Sequence, residues 1–295
     1  MKIVVTGSCG MLGAAVMACL KELGRDAIGV DLIHPDSSLR LDVSDWRAVS
    51  SFAPLRECGL LLHLAAATDV DRCENEPDLA FRANALAPQL LSRLCAERDI
   101  PMVHVGTAAV FAGNHKTGPY TEYDDPAPMN VYGWSKLRGE QVVRETHRKH
   151  FIVRAGWMMG GGAEEKKFVG KIVSQLLEGK RRLMAVSDKR GSPTYTVDFA
   201  RGLMSLVESG HHGTYHLANH GTCTRDEIAR KIAAFMGIDA VVEPVASSCF
   251  PLPAHRPDSE CLRNYKLELL GLDRMPHWEK SLESCLKTLV PALKR

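Results

Sequence analysis

Tyr132 and Lys136 stand four residues apart in the run Asn130-Val-Tyr-Gly-Trp-Ser-Lys136. On a helix that spacing puts both side chains on one face, where they reach the same ligand. A phenol with a pKa near 10 exchanges its proton reluctantly at neutral pH, and bringing it to roughly 7 takes about 4 kcal/mol of preferential stabilisation of the phenolate. An ammonium about 4 Å away, at an effective dielectric near 20, supplies about that much. The pair is therefore sufficient for general acid–base work with Tyr132 as the proton donor. Thr107 closes the run Val103-His-Val-Gly-Thr107 and offers a hydroxyl to a substrate carbonyl or hydroxyl beside Tyr132; the plain alternative is a strand-end cap. Asn84 is placed to anchor a water or a backbone group behind the lysine, or to do neither.

A proton donor of this kind needs a hydride partner, and the start of the chain is built for one. Lys2-Ile-Val-Val-Thr6 is short, apolar and rich in β-branched residues, as suits a strand buried on both faces. It runs straight into Gly7-x-x-Gly10-x-x-Gly13. The first glycine allows a tight turn, the second lets backbone approach a pyrophosphate, and the third lets the next helix pack close to the strand. That helix carries one apolar stripe of Met11, Leu12, Ala15, Val16, Cys19, Leu20 and Leu23 before Gly24. Its N-terminus would hold phosphates. The second strand, Asp26-Ala-Ile-Gly-Val-Asp31, ends in an acid where adenine ribose hydroxyls are expected. A carboxylate there accepts from the 2′-OH and repels a 2′-phosphate, which favours NAD(H), while His34 and Arg40 leave NADP(H) open. In Leu41-Asp42-Val43, Asp42 follows a third short strand and either brackets the adenine or is a helix cap or turn residue. Cys9 inside the glycine loop is read as a small residue filling a tight turn.

The whole chain must position these groups. Apolar runs alternate with helical patterns through the first half, including Gly59-Leu-Leu-Leu-His-Leu-Ala65, a helix over 77–98, and Pro101-Met-Val-His-Val105. Such alternation marks a parallel sheet covered by helices on both faces. The expected fold is α/β, a doubly wound parallel sheet of Rossmann type with a smaller C-terminal α/β substrate lobe. Residues 1–160 form the NAD(P)-binding domain, completed by elements near 191–220. Residues 161–190 and 221–295 form the lobe. The 295 residues carry a net charge of +2, which gives no ground for nucleic-acid or membrane-surface binding. No apolar run is long enough to span a bilayer. A start directly in the first strand and nine cysteines without a C-x-x-C pair point to a reduced, cytoplasmic protein. The histidines at 211, 212, 216 and 220 invite a metal reading, but the strand pattern over 213–218 splits them between faces, so no metal is expected.

The motifs resemble those of the extended short-chain dehydrogenase/reductases, and within them the dTDP-4-dehydrorhamnose reductase family along nearly the whole chain. The carrying segments are Gly7-Ser-Cys-Gly-Met-Leu-Gly13, Ala65-Ala-Ala-Thr-Asp-Val-Asp-Arg-Cys-Glu74, Pro119-Tyr-Thr-Glu122, Tyr132-Gly-Trp-Ser-Lys136-Leu-Arg-Gly-Glu140 and Val153-Arg-Ala-Gly-Trp157. Gly191-Ser-Pro-Thr194 and His255-Arg256-Pro257 followed by Leu262 are the most discriminating. The resemblance implies hydride transfer from a reduced nicotinamide to the C4 ketone of a nucleotide-linked 6-deoxy sugar. By it, Tyr132 protonates the developing alkoxide, Lys136 also binds the nicotinamide ribose, and Thr107 orients the ketone. The cofactor-binding set is Gly7, Cys9, Gly10, Met11, Leu12, Gly13, Asp31, Asp42, Val43, Ala65, Ala66, Ala67 and Asn84, with Tyr132 and Lys136. Members of the family often dimerise, which leaves room for a homodimer.

One departure stands out. The family follows its Ser-Thr with Asp-Tyr-Val-Phe-Asp-Gly, whereas this chain reads Gly106-Thr-Ala108-Ala109-Val-Phe-Ala112-Gly113, with two acids gone. A dehydratase would need an acid–base pair after the threonine, and none is there. A sugar epimerase with tightly held cofactor and a non-catalytic regulatory subunit, of the kind that partners methionine adenosyltransferase, are the competing readings. On the substrate side, Arg256 is the preferred diphosphate contact, since a guanidinium fork suits phosphate oxygens. Trp157 either stacks on a sugar or base or packs in the core. Among Lys166, Lys167, Lys171, Lys180, Arg181 and Arg182, some meet the diphosphate or the set forms a solvated helix face.

Overall fold

The computed structural model describes residues 2–113, 118–162, 165 and 167–294. Six strands form the central sheet: β1 (Ile3–Thr6), β2 (Ala27–Val30), β3 (Leu60–His63), β4 (Met102–Thr107), β5 (His150–Ala155) and β6 (Gly213–His216). Their order is β6-β5-β4-β3-β1-β2, and every pairing is parallel. Each residue of β1, β3 and β5 is buried, as continuous apolar runs between two helical layers require. From β1 the chain steps outward to β2 and returns to β3 on the other side of β1. That reversal opens a crevice at the carboxyl ends of these strands, where α/β folds place their ligands.

One face of the sheet is covered by Met11–Glu22 and Thr196–Ser209, which pack on each other and fill a core with Val5, Val16, Leu62, Val103, Phe199 and Leu203. The other is covered by Ala87–Glu97 and Val131–Thr146, with Val4, Leu61, Leu91, Met102, Val143 and Ile152. That second face is not wholly apolar. Toward the strand ends a buried polar row crosses it. Thr6 pairs in register with His63, His63 with His104, and Arg154 with His216. The Thr6 hydroxyl and His63 Nδ1 are 2.7 Å apart, and the His63 and His104 rings stack at 5.4 Å. Arg154 is bound by Glu140 from the covering helix.

Two elements differ from expectation. The third short strand expected ahead of Asp42 does not form: Asp31 and Arg40 make one isolated parallel bridge, and the chain then turns. The Asp42 carboxylate takes the Ser44 amide and hydroxyl, and Asp45 caps Trp46–Ser51, so side chains bend the segment that a strand would keep straight. The helix expected over 77–98 is composite, with Pro77–Phe81 and Ala87–Glu97 joined by a π-turn at Arg82–Leu86. Pro88 has no N–H to give the carbonyl of Asn84, and the Ala87 amide reaches back to Arg82 instead.

A smaller apolar cluster lies in the C-terminal part, where Phe168–Leu177, Arg225–Phe235 and Trp278–Leu293 bury Ile172, Leu176, Ile228, Ile232, Leu282 and Leu286 together. A parallel pair, Arg182–Val186 with Val241–Val245, leans on it. Arg190–Gly191 pairs with both Cys223–Thr224 and Ser259–Glu260, tying this part to the sheet ends.

Candidate active site

The glycine loop is cut to fit backbone. Gly7 has φ +73°, and a Cβ there would lie 2.6 Å from the Ala65 amide nitrogen. A Cβ on Gly13 would lie 2.1 Å from the Gly7 carbonyl oxygen, so the helix can approach the turn only without a side chain. Gly10 is the N-cap of Met11–Glu22 and brings no side-chain bond, and the amides of Met11 and Leu12 make none among the described residues. Bare N–H groups at the positive end of a helix make an anion cradle, so this loop fits a dinucleotide pyrophosphate. Ala65, Ala66 and Ala67 follow β3 alongside it, half-buried. At the end of β2, Asp31 accepts from the Cys9 amide at 3.0 Å and the Ile33 amide at 3.2 Å, which clasps the glycine loop to the end of that strand. Asp42 behaves as a turn residue and pairs with Arg82, and Val43 is buried behind it.

Asn84 is buried in the π-turn, with Ala85 beside it. Its amide exchanges two hydrogen bonds with the Ala67 backbone, at 2.9 and 3.0 Å, and donates to Ser135 Oγ at 3.0 Å. It thereby joins the cofactor loop to the helix of Tyr132 and Lys136, which is the backbone-anchoring alternative read from the sequence.

Asn130 caps Val131–Thr146 through the Gly133 amide, and the first turn of that helix brings Tyr132 to Thr107 at the end of β4. The Thr107 hydroxyl is near enough to the phenol to pull its pKa down, and Thr107 Oγ1 accepts from the Ala109 amide. Lys136, one turn on, is 3% exposed and donates from Nζ to the Val105 carbonyl at 2.7 Å. Here the simple electrostatic picture needs correcting. Burial pushes Tyr132 up to about 12, against the pull of the Thr107 hydrogen bond, and Glu260 adds to the rise. Burial also pushes Lys136 down to about 8, with Glu140 pulling it back. The ammonium settles on a carbonyl because a buried charge needs an acceptor, and it is not among the groups that shift the phenol.

Trp157 opens its own short strand, Trp157–Met159. Its indole N–H donates to Glu260 Oε2 at 2.6 Å, and the Arg225 guanidinium lies 3.7 Å from a ring centroid. Gly191 packs so closely on the same ring that a Cβ would be 2.3 Å from it. Packing is therefore what this tryptophan displays. Arg256 is spent on the protein itself, with one nitrogen on Asp71 and another on the Ala254 carbonyl, each at 2.8 Å. Lys167, Lys171, Lys180, Arg181 and Arg182 are exposed, as a solvated face would be, and Lys166 lies outside the described residues. His216 is buried against the Tyr120 and Arg263 carbonyls, His220 pairs with Asp273, and no metal-holding group forms among the described residues.

Glu260 and Arg225 escaped the sequence reading. Glu260 sits on a two-residue strand with no periodicity to read, and Arg225 looks like an ordinary first-turn residue after the capping box of Thr224 and Glu227. The available signal for Arg225 was its sign, because a cation at a helix N-terminus opposes the dipole.

Comparison with known proteins bears on the whole chain. The family model described as the RmlD substrate binding domain matches residues 1–290. A dTDP-4-dehydrorhamnose reductase of Mycobacterium tuberculosis is 35% identical over 290 residues, covering 97% of this chain and 92% of its own. The crystal structure of a dTDP-4-dehydrorhamnose reductase from Clostridium acetobutylicum superposes with a TM-score of 0.90 at 34% identity, over 97% of this chain and 99% of the other. That of Bacillus anthracis, solved in complex with NADP, gives 0.89 at 32% identity, over 97% and 98%.

Proposed function

This chain belongs to the RmlD substrate binding domain family, that of the dTDP-4-dehydrorhamnose reductases, and on that premise we propose that it reduces the C4 ketone of a dTDP-linked 6-deoxy sugar with a reduced nicotinamide. The observation that carries the reading is Thr107 beside Tyr132 with Lys136 one turn away, at the mouth of a crevice whose glycine loop has room for backbone but not for side chains. A bound reduced nicotinamide supplies the hydride that turns the C4 carbonyl into an alkoxide. The chain's own part is to place and discharge a proton. A phenol pushed up to about 12 is protonated at neutral pH, which suits Tyr132 to donate to the sugar oxygen. Thr107 aligns that oxygen by a second hydrogen bond. Lys136, with a proton that leaves near pH 8, recharges the phenol side of the site and holds ribose hydroxyls. Asn84 keeps the cofactor loop and the catalytic helix in register through Ala67 and Ser135.

For the cofactor we place NADH ahead of NADPH, since a 2′-phosphate would meet the Asp31 carboxylate, already fixed by the Cys9 and Ile33 amides. Arg40 stands close by, its Nε on the His34 carbonyl, so NADPH is used as the weaker partner. A homodimer belongs to the same reading, since Phe81, Leu86 and Trp134 are large apolar side chains left exposed on the helical layer beside the site; sedimentation at twice 32.4 kDa tests it.

The functional test follows nicotinamide absorbance with NADH and NADPH separately, using a dTDP-4-keto-6-deoxy sugar and Tyr132→Phe as control. Consumption by the wild type, faster with NADH and absent in the variant, is the expected result. Turnover of the sugar without added nicotinamide would point to an epimerase instead, and a faster reaction with NADPH would overturn the part given to Asp31.

A further inference from the structure

Arg225 is an arginine whose hydrogen-bonding capacity is unspent. It makes no hydrogen bond and no ion pair among the described residues, and its contacts are the ring of Trp157 at 3.7 Å and that of Phe168 at 5.0 Å. A guanidinium offers five N–H donors in a rigid fork. The residue as a whole is half-buried. We propose that Arg225 binds the diphosphate of the nucleotide-linked sugar, in place of Arg256. This rests on the function proposed above and adds the residue that recognises the anionic half of the substrate.

Position supports the assignment. Trp157, under the guanidinium, is bonded to Glu260. Glu260 is in electrostatic reach of both Tyr132 and Arg225, so one wall of the site holds the reacting phenol and the cation near the same acid. The chain leaving Trp157–Met159 passes through Gly161, whose missing Cβ would lie 2.8 Å from Met11 of the cofactor loop. The same wall therefore borders the cofactor crevice at one end and carries Arg225 at the other. A sugar with C4 at Tyr132 would run past Glu260 and present its C1 phosphates toward Arg225.

Chemistry supports it too. Burial pushes Arg225 down to about 10, with Glu260 pulling it up most among the neighbouring charges, so a desolvated cation remains only partly compensated. A diphosphate would complete the compensation through bidentate contacts. The stacked rings fix the plane of the fork before ligand arrives, which lowers the ordering cost of binding. Arg256 has the opposite character. Its two bonds to Asp71 and Ala254 fasten the 254–257 segment to the helix Val70–Asn75, and a ligand would have to break them.

The deciding experiment is calorimetry on protein saturated with NADH, so that the cofactor's own phosphate site is filled, with dTDP, thymidine and inorganic pyrophosphate as probes. Arg225→Ala should weaken dTDP and pyrophosphate binding by about 10- to 150-fold, the usual range for charged hydrogen bonds, while thymidine binds as before. Arg225→Lys, which keeps the charge but loses the fork, should recover only part of the loss. Arg256→Ala should change dTDP binding by less than about 5-fold. Unchanged dTDP binding in Arg225→Ala, or an equal loss for thymidine and dTDP, would overturn the assignment. A wild type that binds pyrophosphate through Arg225 yet reduces no dTDP-4-keto sugar would instead leave the anion site standing and remove the proposed reaction.

Discussion

Replacing Glu140 by glutamine probes how the helix that carries Tyr132 and Lys136 is fastened to the sheet. Glu140 is 0% exposed and Arg154 2%. Arg154 Nε lies 3.1 Å from each carboxylate oxygen and Nη2 lies 2.7 Å from Oε2. Without the acid, the guanidinium keeps His216 Nε2 at 3.4 Å and the face of Phe111, neither of which neutralises it. Two unit charges about 4 Å apart at an effective dielectric of 20 attract by about 4 kcal/mol. Orphaning one partner of a buried pair costs about 3–5 kcal/mol in practice. The two figures agree, and at about 2–4 °C per kcal/mol for large domains the melting temperature should fall on the order of 10 °C. Urea titrations of wild type, Glu140→Gln and the double variant Glu140→Leu with Arg154→Met supply the measurement. The double variant should recover most of the loss, because apolar replacements remove both desolvation penalties together. A single variant within about 1 kcal/mol of wild type, or a double variant no better than the single, would refute the view that an uncompensated buried charge is what hurts. Glu140 also supports the charge on Lys136, so the alkaline limit of activity should move to lower pH in Glu140→Gln.

Three further outcomes follow from the geometry. Gly13→Ala should abolish cofactor binding and lower stability, since its Cβ would fall 2.1 Å from the Gly7 carbonyl; nicotinamide fluorescence titration and thermal melting report the two effects separately. The rate of reduction should fall as pH rises through about 8, where Lys136 loses its proton, and Lys136→Arg should carry that fall to higher pH in a kcat profile. Acid should destabilise the fold through the buried histidines: His63 and His216 are held at about 3 against 6.5 when free, so the unfolded chain binds their protons first. Their contribution is complete above pH 6.5 and drains away toward pH 3, and His63→Asn should flatten the slope of urea stability against pH in that window.

What could be read in advance was local. The glycine loop, the first two strands, the strand behind His63 and the Tyr132–Lys136 spacing are each specified within about twenty consecutive residues, by period or by turn chemistry. The buried polar row was not legible, because Thr6, His63, His104, Arg154 and His216 become neighbours only through parallel register between strands far apart in sequence. An arginine inside Phe151-Ile-Val-Arg-Ala155 was the clue, as a charge in a fully buried strand demands a partner, and Glu140 waits in the preceding helix. The third short strand expected ahead of Asp42 failed because Asp42 and Asp45 bend the backbone with their own side chains. The pKa arithmetic for Tyr132 failed because helical spacing fixes which face a lysine shares, not which acceptor its ammonium finds.

The π-turn at Arg82–Leu86 amounts to one surplus residue spliced into a helix that is otherwise regular. Deleting a residue there would close the wide turn, although Pro88 would still have no N–H to give to the ladder. What would vanish is the inward aim of Asn84, and with it the tie between Ala67 and Ser135. The tie from Ala67 to Ser135 thus hangs on the one surplus residue of this turn. A lineage could gain or discard it in one indel without redesigning a core, so the helix that looks most ideal here would belong to the less competent enzyme.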